Sequence, residues 1–76
     1  MDKLRDIFAR VLSLATEKVS DETSPRVCPT WDSFNHLLLV VAIEKEMEVK
    51  FTVIDVRRMN SFKDVREIIL RKKTEG

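Results

Sequence analysis

The side chains able to do chemistry cluster in one stretch, VCPTWDSFNHLLLVV, residues 27–41. Asp32 and Ser33 are adjacent, His36 follows Ser33 by about one helical turn, and Cys28 lies shortly before the pair. A catalytic serine or cysteine needs a base within reach and a third group to orient that base. The chain has one histidine and one cysteine, with no second histidine at ligand spacing. Neither a metal centre nor a catalytic site is indicated, and Cys28 reads as an ordinary loop thiol. Two readings of Ser33 stand at the level of the residues. It is either a plain cap or first-turn residue of a helix, or a hydroxyl handle to which a group is attached.

The elements that must position this stretch are helical. Leu4, Ile7, Phe8, Val11, Leu12 and Ala15 follow the spacing of one helical face, which predicts a first helix over 3–18 with Asp2 as its N-cap. Residues 19–30, VSDETSPRVCPT, hold both prolines and several short polar residues, so a long loop is expected, with a turn of helix around SDET. A second helix should begin at Asp32 or Ser33 and run to about Glu48, its start favoured by the Asp32 carboxylate. Its LLLVVAI segment, 37–43, is apolar on nearly every side, which predicts a helix enclosed by all the others. VKFT is then an extended link. Thr52 is expected to cap a short third helix, VIDVRRM, with Val53, Val56 and Met59 on one side. Asn60 or Ser61 should cap a fourth, FKDVREIILRKK, buried through Phe62, Val65, Ile68 and Ile69.

Composition agrees with one small helical domain over residues 1–76. The only glycine is Gly76 and tyrosine is absent, a poor supply for the turns of a sheet protein. At 43% hydrophobic residues the chain is too apolar for a disordered segment, and a net charge of +1 gives no global case for nucleic acid or an anionic membrane. A single cysteine permits no internal disulfide and suits a reducing, cytoplasmic setting. No apolar run approaches the roughly 18 residues that would span a bilayer, so no stable membrane insertion is expected. The basic cluster Arg57, Arg58, Lys63, Arg66, Arg71, Lys72 and Lys73 is interrupted by Asp64 and Glu67, and reads first as a solvated face and second as a surface for partner docking.

The layout resembles the acyl carrier protein family, whose centre is an aspartate–serine–leucine motif at the start of the second helix. The matching residues are DSF at 32–34, Leu37, Leu39, Val40, Val41 and Ile43, then EKEMEV at 44–49 and NSFKDVREII at 60–69. The resemblance implies an all-α, four-helix acyl-carrier-like bundle with three longer helices, a short third helix and a long loop between helices one and two. It implies a monomeric carrier, not an enzyme. Ser33 would bear a covalent 4′-phosphopantetheine arm, donated by coenzyme A through a phosphopantetheinyl transferase. The phosphate would then sit at a helix N-terminus, where anions are favoured. Acyl-loading and acyl-transferring enzymes would be the further partners, and the bundle interior would shelter part of the cargo. Asp32, Phe34 and His36 are the candidate neighbours of the arm, His36 by approaching the phosphate when protonated. Leu38, Val41 and Arg57 are the candidate partner-contacting residues. The rival reading is a helical interaction module without a prosthetic group, in which Ser33 only caps.

The chain departs from the family in its charge. Phe34 replaces the usual leucine, a large apolar side chain with which packing is expected to survive. Asn35, His36 and Leu38 stand where acidity is common, Lys45 breaks the later acidic cluster, and Arg57 and Arg58 occupy the third-helix region. Charge complementarity selects partners, so this surface should suit a dedicated pathway better than general fatty-acid synthesis. The tryptophan-containing WDSF motif is similar to carriers serving lipid, lipopolysaccharide or polysaccharide precursor synthesis. Trp31 itself is expected to lie over the end of the bundle as a hydrophobic lid.

Overall fold

The computed structural model describes residues 2–75. The ends of the 1–76 span, Met1 and Gly76, lie outside the described residues. Among the described residues four α-helices follow one another: α1 Asp2–Leu12, α2 Ser33–Met47, α3 Val53–Arg57 and α4 Phe62–Glu75. A single 3-10 turn, Thr16–Lys18, lies in the connection between α1 and α2. No strand occurs among the described residues. The expected all-α bundle of three longer helices, one short helix and a long first loop is the architecture observed.

The core is built from the predicted stripes. Leu4, Ile7, Phe8 and Leu12 of α1 meet Leu39 and Ile43 of α2 and Phe62, Val65, Ile68 and Ile69 of α4, all buried. Phe8 is at the centre, edge-on to Trp31 at 5.3 Å and to Phe62 at 4.9 Å between ring centroids. Such T-shaped pairs set the positive ring edge against the negative face and add to what burial alone contributes. Trp31 is buried and closes this end of the bundle as expected.

The first helix ends earlier than the periodicity predicts. Ser13 turns left-handed, with φ of 58°, and Leu14 N–H donates to the Ala9 carbonyl at 2.9 Å. That six-residue closure satisfies an end carbonyl and stops the helix at Leu12. Ala15 therefore leaves the helical face and is exposed, and the short helical turn forms at Thr16–Lys18, ahead of SDET. Asp2 lies within the first turn of α1 rather than ahead of it.

The loop is long but fastened. The Thr30 hydroxyl donates to the Leu12 carbonyl at 2.7 Å, and Asn35 Nδ2 donates to the Thr30 carbonyl at 2.7 Å. Thr23 is buried; its hydroxyl accepts from Ser20 N–H at 2.9 Å and its carbonyl accepts from Phe62 N–H at 2.8 Å. Arg66 of α4 forks onto the Asp21 carboxylate at 2.6 and 3.1 Å. Arg10 pairs with Glu46 between α1 and α2. Lys72 pairs with Asp55 at 2.7 Å, and Lys73 Nζ donates to the Met47 carbonyl at 3.1 Å. The basic face thus departs from the solvated reading at Arg66, Lys72 and Lys73, which tie elements together, whereas Arg57, Arg58, Lys63 and Arg71 are exposed.

The largest correction concerns α2. It is not enclosed: Leu39 and Ile43 are buried, whereas Phe34, Leu37, Leu38 and Val41 are 41–68% exposed. An apolar residue on every side predicts a helix surrounded on every side, but a bundle with three longer helices cannot cover every flank of one of them. Phe34, expected to pack as the family leucine would, points outward at 68% exposure. In α3, Met59 lies beyond the helix and is buried, while Val53 is exposed, so the two do not share a buried side.

Candidate functional site

The start of α2 is set by its cap. Asp32 is extended, and its carboxylate accepts from Asn35 N–H at 2.8 Å, satisfying one of the free donors of the first turn. The Asp32 carbonyl accepts from His36 N–H at 2.8 Å, so the helix is under way from Ser33 onward. The capping role therefore belongs to Asp32. Ser33 is the first helical residue and is exposed, and its hydroxyl makes no hydrogen bond to another described residue.

Beside it lies an open groove of about 600 Å³ between the start of α2 and the α3 region. Asp32, Ser33, His36 and Leu37 form one wall, Val56, Arg57, Met59 and Asn60 the other, with Pro25 and Trp31 at the end. A third helix begins opposite because Thr52 and Asp55 cap it reciprocally: Thr52 Oγ1 accepts from Asp55 N–H at 3.0 Å and Asp55 Oδ2 from Thr52 N–H at 2.9 Å. The Lys72 ammonium, with the Thr52 backbone donor, holds the Asp55 carboxyl below its ordinary range.

His36 spans the groove. Trp31 Nε1–H donates to His36 Nδ1 at 2.9 Å, and His36 Nε2 lies 3.0 Å from the Val56 carbonyl. An indole nitrogen can only donate, so Nδ1 accepts, the proton sits on Nε2, and Nε2–H donates to Val56. The imidazole is half-buried, nearly parallel to the indole at 19°, and occupied at both nitrogens. The resemblance makes His36 a neighbour of the arm, approaching its phosphate; the structure instead gives both ring nitrogens to Trp31 and Val56. Both ring nitrogens face structural partners, so His36 joins α2 to α3 instead of pointing at Ser33.

Of the predicted site residues, the structure brings Asp32, Ser33, His36 and Arg57 to one groove. It leaves Phe34, Leu38 and Val41 outside it, on the exposed face of α2. Trp31, expected as a lid with contact to the arm as the alternative, also lines the groove, and Val56, Met59 and Asn60 are groove residues that sequence reasoning did not assign. For Trp31 the signal was present in its place immediately before the cap. For the α3 residues no local pattern marks a surface that faces another helix. Cys28 is buried, its sulfur 3.2 Å from the Thr30 hydroxyl, in keeping with an inert loop thiol. No group of potential metal ligands occurs among the described residues, and no helix there is long and apolar enough to cross a membrane.

No family model and no curated protein matches the chain. Solved structures do. One is the solution NMR structure of a holo acyl carrier protein from Geobacter metallireducens, 26% identical, covering 97% of this chain and 85% of that one, with a TM-score of 0.85. The fold and helix order are those of an acyl carrier protein, and an exposed serine stands at the start of the second helix.

Proposed function

We propose that this acyl-carrier-like chain, a carrier and not an enzyme, holds acyl intermediates as thioesters on a 4′-phosphopantetheine arm attached to Ser33. The observation that carries the reading is the exposed, unengaged hydroxyl of Ser33 at the mouth of a groove, with the capping task taken by Asp32. A serine needed as the cap would be turned inward onto the backbone, and this one is not. The similar Geobacter protein was solved in its holo form.

The residues fit the group. Loading requires Ser33 Oγ to form a new bond to the phosphorus of coenzyme A as the adenosine bisphosphate portion leaves and the transferase removes the hydroxyl proton. The arm supplies a terminal thiol that carries the acyl cargo. The chain's own residues do the rest: Asp32 and Asn35 fix the helix end, His36 and Trp31 hold α2 to α3, and Leu37, Val56 and Met59 offer an apolar lining for cargo. The exposed face of α2, with Leu38, Val41 and Arg57 at α3, is where partner enzymes would dock. That face is apolar and basic, which favours a specialised pathway over general fatty-acid synthesis. The WDSF resemblance points to lipid, lipopolysaccharide or polysaccharide precursor synthesis, and the single cysteine to the cytoplasm.

Incubation with coenzyme A and a broad-specificity phosphopantetheinyl transferase tests the reading by mass spectrometry. The expected result is a gain of one phosphopantetheine that Ser33→Ala abolishes. A chain that several transferases leave unmodified would instead be a helical interaction module whose partner face is α2.

A further inference from the structure

Resting on the carrier reading, the geometry points to Arg57 as the residue that binds the phosphodiester of the tethered arm. A phosphate on Ser33 would stand next to the Asp32 carboxylate, which is exposed and lines the same groove. Two negative charges on adjacent residues repel unless a cation is close. The helix end offers limited relief, because Asn35 N–H is already taken by Asp32 and His36 N–H by the Asp32 carbonyl. His36 offers none, since its ring nitrogens are bonded to Trp31 and Val56.

Among the residues that line the groove, Arg57 is the one lysine or arginine. It is exposed, and no carboxylate among the described residues pairs with it. Lys72 of α4 is held by Asp55, and Arg58, the next residue along, does not line the groove. A guanidinium presents a planar fork that matches two phosphate oxygens, where an ammonium acts as a point charge. Arg57 on the α3 wall would thus draw the phosphate across from the α2 wall. The arm would then lie along the apolar strip of Leu37, Val56 and Met59, not swing freely in solvent.

The test uses the chain loaded with unacylated phosphopantetheine. The Arg57 Nε–H resonance and the arm's phosphorus resonance are followed by NMR, before and after loading, in the parent, Arg57→Gln, Arg57→Lys and Arg58→Gln. The expected result is that loading shifts Arg57 Nε–H but not Arg58 Nε–H. Arg57→Gln should lower the ratio of docked to free arm by roughly two- to fivefold, the range for an exposed ion pair, and Arg57→Lys should recover part of it. Salt at about 1 M should weaken the docking in the parent, because charges are screened over about 3 Å there. An arm that is attached at Ser33 while Arg57 Nε–H stays unmoved, or a phosphorus signal indifferent to Arg57→Gln, overturns this assignment and leaves the carrier reading standing. Failure of the arm to attach at all, seen by mass, overturns both.

Discussion

Replacing His36 by alanine isolates the bridge between α2 and α3. The substitution removes two hydrogen bonds, 2.9 Å from the Trp31 indole and 3.0 Å to the Val56 carbonyl. Their losses are unequal. Val56 is half-buried and its carbonyl can be hydrated through the open groove, but Trp31 is 3% exposed and its N–H would be left without a partner. A stranded buried donor costs about 1–3 kcal/mol, and the better helix propensity of alanine returns about half a kcal/mol. The net expectation is a destabilisation of about 0.5–2.5 kcal/mol. For a domain of this size each kcal/mol lowers Tm by roughly 4–8 °C, which thermal melts by circular dichroism resolve. His36→Asn keeps an acceptor near the Nδ1 position and should lose less than half as much. In a Trp31→Phe background no indole N–H remains to be stranded, so the further loss on His36→Ala should drop below about 1 kcal/mol. A His36→Ala protein that melts within about 2 °C of the parent, with the Trp31 indole proton unshifted, would refute the bridge.

Four further outcomes follow from the same structure. Because Lys72 and the Thr52 N–H depress the Asp55 carboxyl below its ordinary 3.8, its contribution is complete above that value and is lost as pH falls through the lower folded value. Asp55→Asn should therefore be less stable than the parent near neutrality and converge with it in acid melts; parallel curves would count against the linkage. Ser13→Gly, at a left-handed residue, should raise stability by up to about 1 kcal/mol, and a lower denaturant midpoint would contradict the helix end described. Phe8→Ala empties the site between Trp31 and Phe62 and should cost about 3–5 kcal/mol, enough to leave much of the chain unfolded by urea titration. Leu38→Asp, on an exposed position, should change stability by less than about 0.5 kcal/mol yet slow acyl loading by a cognate ligase; unchanged loading would remove Leu38 from the docking face.

Much of the fold was legible because helical periodicity is a local signal. The stripes of α1 and α4 and the caps at Asp32, Thr52 and Ser61 lie within a turn or two of the residues they organise. Ser61 Oγ accepts from Asp64 N–H at 3.1 Å, so of the two candidates it is the cap of α4. What could not be read depends on which surfaces meet. The apolar surround of α2 does not say which flank is covered, and only the count of neighbouring helices decides it. Ser13 ends α1 against its own periodicity, because a serine in the left-handed region has no distinctive sequence mark. The partners of His36 come from a residue five before it and another twenty after it. Nothing within one helix reveals such a bridge. At the site, the position of Ser33 was readable and its freedom was not, since that depends on Asp32 doing the capping.

The chain has a single tryptophan, and it forms the end wall of the groove while bonded to His36. Its ultraviolet emission therefore comes from one place and reports on that place alone. Anything that enters the groove, changes its wetness or disturbs the imidazole will alter the colour or yield of that light. No dye is needed to tell whether a molecule added to the protein enters the groove, and a titration in a cuvette can follow it as it happens.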